Sequence, residues 1–294
     1  MRRLILWTVL LAPSWVLAQM DAPTKAPAPY SLPWQLRTTA AVNVLRTDNS
    51  FARFRGADGS WNVTTAAMFL ACWKVTPQFA PLLRLGFVHL SSGGSAFVNP
   101  VVGGTYAIPL GHDLRLGLFL GLTAPVGMGG GNDRDPEAAA AAAAGILARS
   151  AMDNAMFAVN DFTVFPGVGL SWSRSGFTAQ LEATVLQLTR VRGDQVQADA
   201  SKTNFTSGLH LGYFPIALLS IGAELRYQRW LSTPVAVANA PETRDNMTTA
   251  FGVRLHPKIG PVTLRPGISL TVPLDPPMSR SDYLIGQLDI PVQF

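Results

Sequence analysis

An all-β fold, a transmembrane antiparallel up-and-down β-barrel of about twelve strands (ten to fourteen are admitted), is the class this sequence predicts, and three observations predict it. The chain is 48% hydrophobic but only 14% charged, against about 25% charged for soluble domains. Beyond its first twenty or so residues it holds no apolar run near the ~18 residues that mark a membrane helix. Apolar residues instead alternate with polar ones at period two, in segments long enough for a tilted membrane strand. Finally, the connectors alternate between tight Pro- and Gly-bearing turns and longer polar loops, as expected when one barrel end faces the periplasm and the other the outside.

Taken in order, the chain opens with Arg2 and Arg3, an apolar core over 4–11, and Val16 and Ala18 at the small −3 and −1 positions of a cleavage site. This predicts a secretory signal over 1–18: the core is too short to span a bilayer and is broken by Pro13. Residues 19–33 are Pro- and Ala-rich and read as a flexible periplasmic leader, and 34–294 as the barrel. Removing Arg2 and Arg3 lowers the formal charge of +5 by two, so the basic pI does not point to nucleic acid. Cys72 is the one cysteine, which excludes an intramolecular disulfide and any Cys-based metal motif.

Strand-like segments have approximate cores at 35–46, 60–74, 79–91, 97–108, 113–124, 160–173, 177–190, 203–214, 217–230, 246–256, 261–272 and 283–294. The clearest places Leu114, Leu116, Leu118, Leu120 and Leu122 on one face, with Arg115, Gly117, Phe119, Gly121 and Thr123 on the other. Segments 203–214 and 217–230 alternate as well; the second, third and fourth do so less clearly. The inner connectors are VTPQ, PLGH, SRSG, FPIA and HPKIGP. The outer ones include DNSFARFRGADG after the first strand and the long stretch 125–159. In that stretch Asp135 suits an N-cap, Pro136 suits N1, Glu137 complements the helix dipole, and seven alanines follow. A helix is predicted over about 136–150 in an external loop. The simpler reading is a surface helix; the alternative is a lid or plug for the lumen.

The last segment carries Leu288, Ile290, Val292 and Phe294 on one face and Gln287, Asp289, Pro291 and Gln293 on the other. It resembles the C-terminal strand of bacterial outer-membrane β-barrel proteins, which ends in an aromatic residue. The resemblance implies an outer-membrane location in a Gram-negative bacterium after export, outer-membrane lipid and the barrel-assembly machinery as partners, and those four residues as the assembly signal. Pro291 removes one ladder donor at the seam.

If the apolar face meets lipid, the opposite face lines the lumen. Its candidate charges are Arg37, Lys74, Arg84, Arg115, Glu182, Glu224, Arg226, Arg254 and Arg265, with Arg190 and Asp289. Strand direction puts Arg37, Lys74, Arg84, Arg115, Arg254 and Arg265 near the inner mouth, where a cation ring would favour anions. The plainer reading is a set of rim cations, solvated or paired with wall carboxylates. Trp34, Trp73, Trp172, Trp230, Tyr213 and Tyr283 lie near strand ends, as girdle aromatics do.

The chemistry-bearing motifs are wanting. His89, His112, His210 and His256 form no HExxH pattern, and His210 has no evident orienting partner. The Gly-rich stretch at 127–131 lacks the Lys-Ser/Thr of a phosphate loop. The sequence therefore predicts no catalytic residue, no metal site and no cofactor.

A more particular likeness lies in Asn99-Pro100, GGTYAIPLG at 103–111, the leucine strand and Thr123-Ala124-Pro125-Val126-Gly127. This succession resembles the outer-membrane barrels of the phenol meta-cleavage-pathway type and implies a transport-like role. The expectation is a non-enzymatic passive channel or facilitator for small solutes, anionic or aromatic ones being candidates. The alternatives are a closed structural or surface-binding barrel and, third, a lipid- or peptide-modifying barrel enzyme.

Overall fold

The computed structural model describes residues 29–132, 134–194 and 196–294; the signal at 1–18 and leader residues 19–28 lie outside them. The strands are β1 Val44–Arg55, β2 Trp61–Cys72, β3 Phe79–Leu90, the short β4 Ser95–Phe97, β5 Val101–Gly111, β6 Leu114–Thr123, β7 Asp161–Arg174, β8 Phe177–Arg190, β9 Ser201–Ile216, β10 Leu219–Trp230, β11 Asp245–Leu255, the small hairpin β12 Lys258–Ile259 and β13 Val262–Leu264, β14 Gly267–Pro273 and β15 Leu284–Gln293. Among the described residues three α-helices interrupt them: α1 Pro136–Ala148, α2 Asn154–Phe157 and α3 Val235–Asn239.

Leaving aside β4, β12 and β13, twelve strands follow one another around the wall, each antiparallel to its neighbours. β15 closes on β1 through a register running from Val44↔Gln293 to Arg53↔Leu284. Closure removes the open edges, the condition for a sheet to sit in lipid. Apolar side chains cover the outer surface, among them Phe69, Leu120, Leu181, Leu211, Phe251 and Ile268. Tight turns and the C-terminus share one end, which the usual asymmetry of such barrels makes the periplasmic end.

The first strand departs from expectation. The alternation predicts it over 35–46, and the structure has it at Val44–Arg55. Consequently most of DNSFARFRGADG is wall rather than loop, and the closing strand pairs with Val44–Arg53. Residues 35–46 do alternate, but Trp34 and Leu36 are buried, at 2% and 1% exposure, and neither faces lipid. They enter the lumen, together with leader residues 29–33.

On β15, Leu288, Ile290 and Phe294 face outward and Val292 is half-buried. Phe294 packs edge-on against Trp73, with ring centroids 5.9 Å apart, and its N–H donates to the Asn43 carbonyl at 3.3 Å. Deleting Phe294 removes this clasp at the seam where first and last strands meet. Membrane levels of the barrel, measured by immunoblot of the outer-membrane fraction, are expected to fall more than for any single loop substitution.

Candidate functional site

The wall encloses two segments of its own chain, one from each end. Residues 29–43 form no strand. They lie against β8, β9 and β10, and one carboxylate each from β8 and β10 accepts from their backbone. The N–H groups of Trp34 and Gln35 donate to Glu224, the second at 3.3 Å, and that of Arg37 donates to Glu182 at 2.6 Å. The Arg37 guanidinium also bonds Glu182, donates to Thr184 Oγ1 at 2.8 Å and covers the Phe119 ring at 4.3 Å. Gln180 Nε2 donates to the Arg37 carbonyl at 2.6 Å, and the Ser31 N–H donates to Thr178 Oγ1 at 2.9 Å. A buried segment without secondary structure needs such partners, because unpaired backbone groups are costly. Space for it comes from glycines on the inner face. A Cβ at Gly208 would collide with Leu36, and one at Gly252 would lie 2.6 Å from Trp34.

From the other end, 125–159 folds inward. Asp135 caps α1, accepting from the N–H groups of Glu137 at 2.9 Å and Ala138 at 3.4 Å, with Pro136 in the first turn. Ala138, Ala141, Ala142 and Ala148 are buried against inward-facing Ala52, Ala66, Met68 and Val88. The surface-helix reading is thus corrected: small side chains on both partners let the helix backbone lie close to the wall. Gly94, at φ +92, admits the Glu137 carbonyl where a Cβ would clash.

The two segments meet wall charges at mid-lumen. Arg149, with no exposed surface, donates to Asp48 at 2.8 and 2.7 Å, to Ser50 Oγ at 3.0 Å and to Asp153 at 3.0 Å. Asp153 also takes Arg84, at 2.6 and 3.1 Å. Arg46 joins Asp48 at 3.7 Å, Asp289 at 2.8 Å, and the carbonyls of Pro33 and Trp34. Arg254 bonds Asp289 at 2.5 Å. Arg226 bonds Glu224 at 2.9 Å and Gln287 at 2.9 Å.

The cation ring expected at the inner mouth is therefore corrected for three of its six members. Arg37, Arg84 and Arg254 are paired with Glu182, Asp153 and Asp289. Lys74 lies exposed in a turn. Arg115 and Arg265 remain without an acid partner among the described residues. Buried charges must be compensated; Asp153 compensates Arg84 and Arg149, and Asp48 compensates Arg149 and Arg46, and sequence reasoning missed Asp48, Asp153, Arg46 and Arg149. Asp48 falls in the predicted outer connector DNSFARFRGADG but lies on β1, and Asp153 and Arg149 lie in the loop that folds in. Arg190 sits at the outer end, 3.5 Å from Asp161, which also takes Lys202 at 2.6 Å. Of the proposed girdle aromatics, Trp73, Trp172 and Tyr213 face outward, Trp230 is half-buried, and Trp34 and Tyr283 are buried, the latter stacked on Phe54 at 4.7 Å.

His210 proves to have neighbours. Ser31 Oγ lies 3.2 Å from Nε2 and Glu224 3.6 Å from Nδ1. The order Ser–His–Glu suggests a hydrolase, yet Ser31 and His210 are 2% and 0% exposed, so no substrate carbonyl reaches them, and Glu224 is engaged by Arg226 and the Trp34 N–H. The trio joins the N-terminal segment to the wall. His256, just past β11, shares a hydrogen bond of 2.8 Å with Ser220 Oγ; burial, then Arg265 and Arg254, push its pKa down to about 4. It is neutral at pH 7, and among the described residues no carboxylate pairs with it. Among the described residues no group of His, Cys, Asp and Glu could hold a metal ion.

Among the described residues a cavity of about 530 Å³ lies between the N-terminal segment and the wall. Met68, Leu70, Cys72, Leu82, Val101, Phe119 and Phe165 give it an apolar side; Arg37, Arg46, Asp48, Arg84, Arg115 and Arg265 also line it. Pro77, Pro109 and Gln293 place its rim at the periplasmic end.

No family model matches the sequence, and no curated protein matches it. Solved structures do resemble the barrel. The NanC porin superposes with a TM-score of 0.52 at 10% identity, covering 85% of this chain and 98% of its own. The COG4313 outer membrane channel from Pseudomonas putida F1 gives 0.52 at 12% identity, covering 93% and 100%. The likeness is one of fold, and the chain is a closed twelve-stranded antiparallel barrel of the kind found among outer-membrane channels.

Proposed function

We propose that the protein is an outer-membrane facilitator for small solutes, held closed in this conformation by two segments of its own chain. The observation that carries this reading is that the wall is complete without them. All twelve strands are joined by strand-to-strand pairing, and β1 meets β15 along ten residue pairs. The interior is wide enough to hold a helix and an extended segment. Displacing either would free part of the lumen without opening the sheet. Arg115 and Arg265 at the inner mouth favour anionic solutes, since low-dielectric walls focus their field. The resemblance of 99–127 to barrels of the phenol meta-cleavage type agrees with a transport role. In this reading the chain reaches the outer membrane through its signal at 1–18 and the barrel-assembly machinery.

A second reading, a closed structural or surface-binding barrel, is favoured by the buried ion pairs across mid-lumen. Planar-bilayer recording separates the two. A facilitator is expected to give discrete, infrequent openings with a preference for anions. Silence after confirmed insertion would decide for the closed barrel.

A further inference from the structure

The cavity on the periplasmic side is asymmetric in its chemistry. Its wall side, on β2, β3, β5, β6 and β7, is apolar: Leu70, Leu82, Val101 and Phe119 all turn inward there. An inward apolar face is unusual in a barrel whose other strands line the lumen with Gln180, Glu182, Asn204, Glu224 and Gln287. Some of the charges reaching the cavity are already satisfied. Asp48 is held by Arg149, Arg37 by Glu182, and Arg84 by Asp153.

The cations at the rim differ. Arg115 has no hydrogen-bond or ion-pair partner among the described residues. Arg265 reaches only the Tyr30 carbonyl, at 3.5 Å, and its Nε is buried without a partner. Two guanidinium groups without acids thus stand at the mouth of an apolar chamber. Its volume, about 530 Å³, falls within the ~300–1,000 Å³ of small-molecule sites.

We infer that this cavity binds an amphipathic monoanion, with its carboxylate drawn to the rim guanidinium groups, Arg115 on one side and Arg265 on the other, and its apolar body against Leu70, Leu82 and Phe119. Charge selects the head, since guanidinium groups bind carboxylates through paired, charge-assisted hydrogen bonds. The hydrophobic wall selects the body, which a small hydrated anion lacks. The inference deepens the facilitator reading by naming the chemistry of its solute, and it rests on that reading only for the side from which the ligand arrives. It does not require passage, because the cavity exists in the closed conformation.

The test is a calorimetric titration of the full-length barrel in nanodiscs with octanoate, 1-octanol and acetate, using empty nanodiscs as the blank. Saturable one-to-one binding of octanoate is expected, with 1-octanol and acetate at least tenfold weaker. The double variant R115Q/R265Q should weaken octanoate at least tenfold and leave 1-octanol unchanged. The single variant R115Q serves as a milder second case, and the heat-modifiable gel shift reports whether each variant is folded. Equal affinity for octanoate and 1-octanol, or octanoate binding unaffected in the folded double variant, would overturn the proposal. Saturable binding in a barrel that never conducts would retain this site and reject the facilitator. Conductance without binding would do the reverse.

Discussion

Replacing Arg149 with methionine is expected to free α1 from the lumen and raise the open probability of the barrel about 100-fold. Arg149 is fully buried and links the loop to the wall through Asp48 and Ser50, and to its own turn through Asp153. Methionine fills much of the same volume but cannot pair. Asp48 would keep only Arg46, at 3.7 Å, and Asp153 only Arg84. Removing one partner of a buried pair costs ~3–5 kcal/mol, and each ~1.4 kcal/mol is tenfold in an equilibrium. That cost falls on docking and not on the barrel, because α1 contributes no strand pairing to the wall. Thermal unfolding of the wall, read from the heat-modifiable gel shift, should therefore change little while bilayer recordings change greatly. An open probability equal to that of the parent protein would mean that this loop does not close the lumen.

Deleting residues 29–42 behind the signal is expected to open the periplasmic half of the lumen and lower its preference for anions. Trp34 and Leu36 lose their burial against Gly252 and Gly208, worth ~1.5–3 kcal/mol for a large apolar side chain. The deletion also takes away Arg37, leaving Glu182 without its cation, and strips the backbone donors from Glu182 and Glu224. The sign follows: the exposed lumen becomes more negative, so conductance should rise severalfold while the reversal potential in a salt gradient moves toward cations. A chain carrying Trp34→Ala and Leu36→Ala keeps the segment and its charge. It should increase conductance without that shift in selectivity. Identical selectivity in the deleted and parent barrels would remove Arg37 and Glu182 from any role in choosing ions.

The contrast between strands shows how far patterning reaches. β6 and β10 alternate cleanly, because one face meets lipid and the other carries mostly polar or small residues, Phe119 being the exception on β6. β2, β3 and β5 alternate poorly for a reason now visible. Their inner faces are apolar too: Ala66, Met68 and Val88 lie under α1, and Leu70, Leu82 and Val101 line the cavity. Alternation reports that a face meets something apolar; it does not say whether that is lipid, a helix or an empty chamber. Segment 35–46 misleads for the same reason. Trp34 and Leu36 have the spacing of a lipid-facing pair, and their real partners are glycines on β9 and β11. A signal was present in the inward glycines Gly208, Gly212, Gly222 and Gly252, which leave room for something, though not for a named segment.

By itself the sequence determined the barrel class, most of the strands, the capped helix at Pro136 and the outward face of the last strand. These rest on local periodicity, propensity and capping, which act over a few residues. Only the tertiary structure decided that the lumen is filled, which charges are neutralised and where a cavity remains. Arg149 finds Asp48 across 101 positions, Arg84 finds Asp153 across 69, and Glu224 takes the Trp34 N–H across 190. Such pairings depend on which segments fold inward, and that choice is made by the shape of the space the closed wall leaves to be filled.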